Sequence, residues 1–286
     1  MLLVPITTGR LTAGDDLAAM ISGNDVHAGD IVVVSSKAIA TMEWASIDLR
    51  PLSPSTQAHE LSTQTGRSPE FCEAMLGELE RLHGTVISTV PGAALTEVRP
   101  SLVTKTAPPF STRDDKGNWS ILVANAGLDE SNVQKGYAIG WPKDPVLSVR
   151  RLREELEKNG KWKMENGKQS DNHFSLSTFH SAHIAVILTD SSCTPRRHGV
   201  TAIALTVSGL NPLQSQKGEI DLFGKPLTIT TEAIADQLAT AANFLMGNAA
   251  QSTPAVLIRD HGLTLSDWEG WVPGITPDED LFRALL

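Results

Sequence analysis

The sequence predicts an α+β protein in which mixed sheets pack against helices. Short apolar runs at residues 31–34 and 185–188 have the length and the β-branched content of buried strands. Amphipathic helix patterns recur, most clearly at residues 68–84 and 231–247. Strands follow one another in hairpins as well as alternating with helices, and this order favours α+β over a regular doubly wound sheet.

Composition limits the class of protein further. The 286-residue chain is 41% hydrophobic, which is enough for a sizeable core, and its formal net charge is −9. That charge and an aromatic content of 5% argue against a nucleic-acid partner. Cys72 and Cys193 are too far apart for a disulfide framework or a zinc-finger spacing. No apolar run approaches the ~20 residues of a membrane helix, and the N-terminus lacks a signal peptide pattern. We therefore expect a cytoplasmic protein without a membrane partner.

Helix signals occur in four places: residues 15–22, 68–84, 145–158 and 231–247. In the second, Ser68 is placed to cap the N-terminus and Pro69 takes the first helical position. In the fourth, Thr230 or Thr231 is the expected cap and Gly247 the expected end.

Strand signals are more numerous. We expect strands at residues 30–37, 85–90, 183–189, 200–207 and 254–260, a hairpin with arms at 101–106 and 119–127, and a second hairpin over 219–230 that turns at Gly224. Residues 159–181 are polar and rich in Gly, Asn and Ser, which indicates a loop or insertion. The whole chain, 1–286, is expected to form one domain, and a division into two subdomains is left open.

Polar clusters stand where apolar segments stop, in "VVVSSK", "LVANAGLDESN" and "VILTDSS". Each cluster alone fits a loop or a helix cap, but functional sites also gather at strand ends. Asp129 and Asp190 have hydroxyl or amide neighbours, and such hard oxygen ligands suit Mg²⁺ or Mn²⁺. The sequence contains no HExxH, P-loop or GxSxG pattern, which argues against those three classes of enzyme.

Several segments together resemble one known family, the coenzyme F-420-0:L-glutamate ligases. They are "ANAGLDESNV" (124–133), "LTDSS" (188–192), "GEIDLFGKPLTIT" (218–230), "AIADQLATAANFLMG" (233–247) and "PAVLIRDHG" (254–262). The resemblance implies a γ-glutamyl ligase that joins L-glutamate to a carboxylate of an acceptor such as coenzyme F-420-0. It also implies GTP as co-substrate, an acyl phosphate intermediate, two divalent cations, and a homodimer with an unusual intertwined fold.

The resemblance also implies roles for individual residues. The metal ligands would be Asp129, Asp190 and Ser191, with Asn248 where the family usually has Glu or Gln. The nucleotide contacts would be Ser35, Ser36, Thr41, Asn132, Met246 and Gly247. Arg196 and Arg197 could face phosphate or a substrate carboxylate, because an acidic protein needs local cations for anionic ligands; an exposed loop is the alternative.

The chain departs from the family pattern in three places. Thr41 stands where the family has a phosphate-binding Lys, and Glu43-Trp44-Ala45 replaces E-G-R. "TTGR" (7–10) replaces G-I-P-E, and "SCTPRRHG" (192–199) replaces F-G-R-P-W-R. Two alternatives therefore stay open: a sister ligase with another amino acid or acceptor, such as a folate-like or specialised metabolite, and a non-catalytic ligand-binding homologue.

Overall fold

The computed structural model describes residues 1–100, 119–159, 184–276 and 278–285, and its centre is a six-stranded sheet. The strands run in the order β1-β12-β2-β8-β9-β13, and only β2 and β8 pair in parallel. Their bounds are β1 Leu2–Ile6, β2 Ile31–Ser35, β8 Ala185–Cys193, β9 Val200–Ser208, β12 Ala255–Arg259 and β13 Glu269–Trp271. This mixed sheet, together with the helices around it, confirms the predicted α+β class.

Helices cover both faces of the sheet, which explains why its strands read as continuous apolar runs. Val32 and Val34 face the side that carries helices α1 (Leu17–Ser22) and α5 (Pro145–Asn159). Ile31 and Val33 face the opposite side, where α6 (Ile234–Met246) packs. Residues 31–34 of β2 and 185–189 of β8 are therefore buried whichever way their side chains point.

The remaining elements extend the first of these two sides. A three-stranded antiparallel sheet forms in the order β4-β5-β6, and a short pair joins β3 to β7. These strands are β3 Ser46–Asp48, β4 Thr85–Val90, β5 Ala93–Val98, β6 Ile121–Ala124 and β7 Tyr137–Ile139. The helices here are α2 (Ser36–Met42), α3 (Thr56–Thr65) and α4 (Pro69–Arg81). Ser68 caps α4 through the Phe71 amide and Pro69 begins the helix, as the sequence predicted.

Three predictions of secondary structure need correction. The 183–189 strand does not stop at its polar residues, because β8 continues to Cys193 by pairing with β9 alone after β2 ends. The 219–230 hairpin does turn at Gly224, but its arms form a single isolated bridge, Ile220–Pro226, and no continuous strands. It lies between the two-residue strands β10 (Gln214–Ser215) and β11 (Thr231–Glu232), which pair with each other. Thr231 does not cap α6, because it lies in β11 and Ala233 occupies the cap position.

Parts of the prediction lie outside the described residues. These are the 101–106 hairpin arm and almost all of the 159–181 segment; the other hairpin arm appears as β6, paired with β5. Both cysteines are free. Over the described ranges, no helix has the length and apolar character needed to cross a membrane.

Candidate active site

Four segments distant in sequence meet at one edge of the central sheet. They are the β2–α2 junction, the loop after β6, the part of β8 beyond its pairing with β2, and the segment after α6. Cross-contacts join them: Lys37 to Asp129, Ser191 to Asn248, and Asn132 to the carbonyl of Ala249. The polar clusters that the sequence places at strand and helix ends are thereby brought together.

The loop that carries Asp129 is held by an unusual turn. Asn125, Ala126 and Gly127 all have positive φ, at 51°, 54° and 77°. The buried Thr96 accepts a hydrogen bond from the Ala126 amide at 2.9 Å, and Asn125 Oδ1 accepts one from Ala94 N, also at 2.9 Å. These bonds offset the strain of a left-handed backbone at non-glycine residues and fix the start of the loop.

Asp129 is held on two sides. Its backbone exchanges two 2.9 Å hydrogen bonds with Ile139, and its Oδ2 accepts from Lys37 Nζ at 2.5 Å. The Ser131 hydroxyl and amide also donate to this carboxylate. Burial raises the pKa of Asp129, but the hydrogen bonds from Lys37 and Ser131 outweigh it, so the net pKa is lowered and the group is an anion at neutral pH.

Asp190 is the second carboxylate and lies one residue beyond the last β8 residue that pairs with β2. Trp141 Nε1 donates to its Oδ2 at 2.6 Å, and the Ser191 amide donates to its Oδ1 at 2.9 Å. Burial raises its pKa; hydrogen bonds from Trp141, Ser191 and Ser36 and the charge of Lys37 only partly offset this effect. Lys37 therefore acts electrostatically on both carboxylates.

Trp141 owes its position to a glycine. A Cβ at Gly127 would lie 2.8 Å from the Trp141 indole, so only glycine leaves room for the ring. Trp141 is 2% exposed, and its ring centroid lies 5.9 Å from the ring centroid of Trp271. Its indole N–H is thus held in one place, toward Asp190, by packing on two sides.

The second part of the site lies at the end of α6. Ser191 Oγ donates to Asn248 Oδ1 at 2.9 Å, and Asn132 Nδ2 donates to the Ala249 carbonyl at 3.2 Å. Gly247 ends α6 with φ 65°, as predicted, and a side chain there would meet Gln251 at 2.5 Å. Met246 is buried beneath this turn, so its side chain supports the turn from the core.

The other predicted residues are distributed differently. Ser35 ends β2 and Ser36 begins α2, next to Lys37. The Thr41 hydroxyl donates a hydrogen bond to the Lys37 carbonyl within α2. Arg196 and Arg197 lie in the exposed turn between β8 and β9, and neither guanidinium has a hydrogen bond or ion pair with a described residue. Their proposed contact with substrate stays a prediction.

The donor set fits a hard divalent cation. Asp129, Asp190, Ser191 and Asn248 all offer oxygen atoms, and half-buried Asp190 has a carboxylate whose burial its present partners do not fully offset. In the described part of the chain, no group of three or more His, Cys, Asp or Glu is arranged to hold a metal ion. A cation bound here would therefore rely on two carboxylates, neutral oxygen atoms and the substrate.

Two residues of the site, Trp141 and Lys37, were not predicted from the sequence. Trp141 lies in "IGWPKDP", where an aromatic residue carries no mark that separates a hydrogen-bond donor from an ordinary core residue. Lys37, by contrast, follows Ser35 and Ser36 directly at the end of a buried strand. Its position next to that polar cluster was the available signal.

Comparison with known proteins agrees with the resemblance read from the motifs. The sequence model of the family described as "F420-0:Gamma-glutamyl ligase" matches residues 5–165 and 173–260. The chain is 33% identical to the coenzyme F420:L-glutamate ligase of Methanothermobacter thermautotrophicus, over 95% of this chain and 94% of that protein. It is 32% identical to the ligases of the same name from Methanopyrus kandleri (96% and 94%) and Methanocaldococcus jannaschii (94% and 90%).

These comparisons place the protein among the ligases that form glutamate-linked amide bonds. The chain belongs to the F420-0:gamma-glutamyl ligase family.

Proposed function

We propose that this protein is a GTP-dependent γ-glutamyl ligase, which joins L-glutamate to a carboxylate acceptor such as coenzyme F-420-0 through an acyl phosphate. The observation that carries the proposal is the meeting of four segments at one place, where Asp129 is held by Lys37, Asp190 is held by Trp141, and Ser191 contacts Asn248. The relatives named as coenzyme F420:L-glutamate ligases support the choice of glutamate and of F-420-0.

The reaction proceeds in two steps. A carboxylate resists attack by an amine, so the acceptor carboxylate first takes the γ-phosphoryl group of GTP, which releases GDP. The glutamate amine then attacks the acyl carbon, the amide bond forms, and inorganic phosphate leaves. Charge spreads over the phosphoryl oxygen atoms in the first step, so the protein contributes mainly positioning and neutralisation.

Mg²⁺ or Mn²⁺ would be held by Asp129, Asp190, Ser191 and Asn248, at two positions. When bound, such ions neutralise phosphate charge and orient the transferred group. The protein's own residues prepare that position. Lys37 and Ser131 keep Asp129 ionised, and Trp141 and the Ser191 amide hold the Asp190 carboxylate in one orientation. Ser35, Ser36, Thr41, Asn132, Met246 and Gly247 are proposed to contact the nucleotide.

Sequence differences favour one alternative, a sister ligase with a different acceptor. Thr41, Trp44 and Ala45 replace residues typical of the family near the β2–α2 junction. Asp129 and Asp190 speak against a non-catalytic homologue, because burying a carboxylate such as Asp190 costs free energy that a protein with no cation to bind there has no reason to carry.

The proposal is tested by calorimetric titration of GTP and ATP in the presence of Mn²⁺, with wild type, Asp129→Asn and Asp190→Asn. Asp278→Asn is the matched control, because that side chain is 93% exposed and its ion pair among the described residues is with Arg283. We expect nucleotide binding in wild type and control and its loss in the two site variants. Absence of nucleoside triphosphate binding at millimolar concentration in wild type would refute the ligase proposal.

A second assay separates the acceptors. Labelled L-glutamate is supplied with GTP and F-420-0, and hydroxylamine is added in a parallel reaction to trap the acyl phosphate as a hydroxamate. Glutamylation of F-420-0 supports the first proposal. Nucleotide binding without glutamylation of F-420-0 points to the sister ligase.

A homodimer, including the intertwined arrangement, and a cytoplasmic location are further parts of the proposal. The arm at residues 216–230 projects with Leu222 fully exposed and Phe223 88% exposed, and Phe244 on α6 is 87% exposed. Apolar side chains this exposed are typical of surfaces that another chain covers. A second copy of this chain is the proposed partner.

A further inference from the structure

Residues 190–193 of β8 and 200–204 of β9 form a two-stranded ribbon that extends beyond the central sheet. Strand β2 pairs with β8 only as far as Thr189, and β13 pairs with β9 only as far as Thr206. Among the described strands, none pairs with the ribbon on either side. Two strands alone are only marginally stable in water. The ribbon carries Asp190, so the position of this candidate ligand depends on what else holds the ribbon.

A β-bulge lies where the ribbon begins. Leu188 pairs with Thr206, whereas the next residue of β8 pairs with Ala204. Leu205 is thus an extra residue in β9, and its side chain is fully buried in the core on the α5 side. An extra residue bends its strand and increases the local twist, and bulges are frequent next to active sites. The bulge therefore sets the direction in which the ribbon leaves the sheet.

The carboxylate of Asp236, in the first turn of α6, holds this bulge. Its Oδ1 accepts a hydrogen bond at 2.8 Å from the amide of Ala204, the neighbour of Leu205. Burial raises the pKa of Asp236, and this hydrogen bond offsets the effect only in part. Burying a carboxylate costs free energy, and in the described part of the chain its hydrogen bond goes to the backbone of β9. The placement of Asp236 therefore serves the ribbon.

Two further contacts join α6 and the segment after it to the ribbon. The Thr240 hydroxyl, one helical turn after Asp236, donates to the Ala202 carbonyl at 2.8 Å. Beyond the end of α6, Asn248 accepts from the Ser191 hydroxyl at 2.9 Å. Asp236 and Thr240 both bind backbone groups of β9 past its pairing with β13, where a neighbouring strand would otherwise supply hydrogen bonds. Contacts from α6 thus follow the ribbon from the bulge to the candidate ligands.

We propose that Asp236 and Thr240 are positioning residues that hold the ribbon, and with it the candidate metal ligands, in place. Both act through the backbone of β9 and not by direct contact with those ligands. Supports of this kind keep ligands within the narrow geometry that a divalent ion requires. The inference rests on the proposed function, because it concerns the ion that Asp190 and Ser191 would hold.

The test uses the full chain and two measurements. Binding of Mn²⁺ is followed by the electron paramagnetic resonance signal of the free ion, and amide hydrogen exchange of the ribbon is followed by mass spectrometry. Asp236→Ala removes the acceptor, whereas Asp236→Asn keeps an acceptor oxygen and removes only the charge. Thr240→Val removes the donor at an exposed position, so this variant should fold even if Asp236→Ala does not.

Asp16→Ala and Thr63→Val are the matched controls. Asp16 caps α1 and also accepts from a backbone amide, that of Ala19, at 2.8 Å. The Thr63 hydroxyl donates to a carbonyl of its own helix, α3, at 3.0 Å. Each control therefore loses the same kind of hydrogen bond outside the ribbon and α6.

We expect Asp236→Ala to weaken Mn²⁺ binding and to speed exchange in the ribbon about tenfold, and Thr240→Val to do both about threefold. Asp236→Asn should retain most of the binding, because the hydrogen bond and not the charge holds the bulge. Both controls should bind Mn²⁺ as wild type does.

Three results would overturn the inference. A variant of Asp236 or Thr240 that folds and binds Mn²⁺ unchanged would exclude the role of that residue, even if its ribbon exchanges faster. Equal weakening in Asp236→Ala and Asp236→Asn would show that the charge acts, for example on the dipole of α6, and not the hydrogen bond. Equal weakening in the controls would show a general effect of lost stability.

GTP binding separates this inference from the proposed function. If wild type binds GTP and Mn²⁺ and the Asp236 and Thr240 variants do so equally well, the ligase proposal stands and the positioning role is wrong. If wild type binds neither GTP nor Mn²⁺, the ligase proposal fails and the inference fails with it.

Discussion

Lys37 and Asp129 are 92 residues apart in sequence, yet the lysine ammonium lies 2.5 Å from the aspartate Oδ2. Lys37 also donates to the carbonyl and hydroxyl oxygens of Ser131 and acts through its charge on Asp190. Lys37 thus fixes the loop that carries Asp129, whereas the Asp190 carboxylate is held by Trp141 and the Ser191 amide.

Replacing Lys37 by Met should make the free energy of unfolding depend less on pH in the acidic range. The pKa of Asp129 lies below its ordinary 3.8, so the group stabilises the fold above that pH and the stabilisation is lost as the pH falls. Asp129 is 47% exposed, so screening limits the effect to about 1 kcal/mol. Urea unfolding at pH 7 and at about pH 2.5 should show a deficit of Lys37→Met relative to wild type that is smaller at the lower pH.

Lys143→Met is the control for this experiment, because no ion pair to a described residue is lost with it. It should unfold as wild type does at both pH values. An equal loss for Lys37→Met at both pH values would show that the methylene groups of Lys37, and not its charge, stabilise the fold.

Asp190→Asn should separate stability from function. The pKa of Asp190 is raised by burial, so its stabilising contribution is present below the ordinary value and is lost as the pH rises. The Asn oxygen can still accept from Trp141. In thermal melts at pH 7 without metal, Asp190→Asn should therefore equal or exceed wild type, but it should lose most of the stabilisation that MnCl₂ gives to wild type. A variant that keeps the full MnCl₂ effect would exclude Asp190 as a ligand.

Trp141→Phe removes a donor while keeping an aromatic ring between Gly127 and Trp271. A hydrogen bond to a charged group contributes about 1.5–3 kcal/mol, so the variant should unfold at lower urea. The loss should raise the pKa of Asp190 further and move the acid limb of the pH–rate profile to higher pH. Trp268→Phe is the control, since Trp268 is equally buried but its indole N–H has no partner among the described residues. If the acid limb of the pH–rate profile of Trp141→Phe lies where it does in wild type, the indole N–H does not lower the pKa of Asp190.

Gly127→Ala should be more damaging than an alanine at a comparable glycine. Both Gly127 and Gly92 have positive φ, but a Cβ meets the Trp141 ring at 2.8 Å at Gly127 and nothing within 4 Å at Gly92. We expect the free energy of unfolding of Gly127→Ala to fall about 1–3 kcal/mol below that of Gly92→Ala, because of the forced displacement of Trp141. Equal denaturation midpoints would mean that the ring moves freely.

Replacing Leu222 and Phe223 together by Ser should convert the proposed homodimer into a monomer. Both side chains project from the arm into solvent, so the change should not disturb the core of the subunit. Sedimentation equilibrium measures the mass, and Ile275→Ser, at an exposed residue outside the arm, is the control. A wild-type protein that is already monomeric would contradict the proposal.

Much of the fold could be predicted because its signals are local. The apolar run of β2, the Ser68–Pro69 start of α4 and the Gly247 end of α6 each depend on neighbouring residues. The elements that were missed are of two kinds. Strands β1 and β5 and helices α2 and α3 have weak local signals. Strands β3, β7, β13 and the end of β8 exist only through partners distant in the chain.

The sequence alone determined the family and predicted the polar segments and the two carboxylates of the candidate site, because motifs are written in consecutive residues. Only the tertiary structure decided that Lys37 lies against Asp129, that Trp141 reaches Asp190, and that Arg196 and Arg197 stand apart in an exposed turn. The physical reason is that these relations depend on strand register and on the space that Gly127 leaves for an indole ring, which no local pattern encodes.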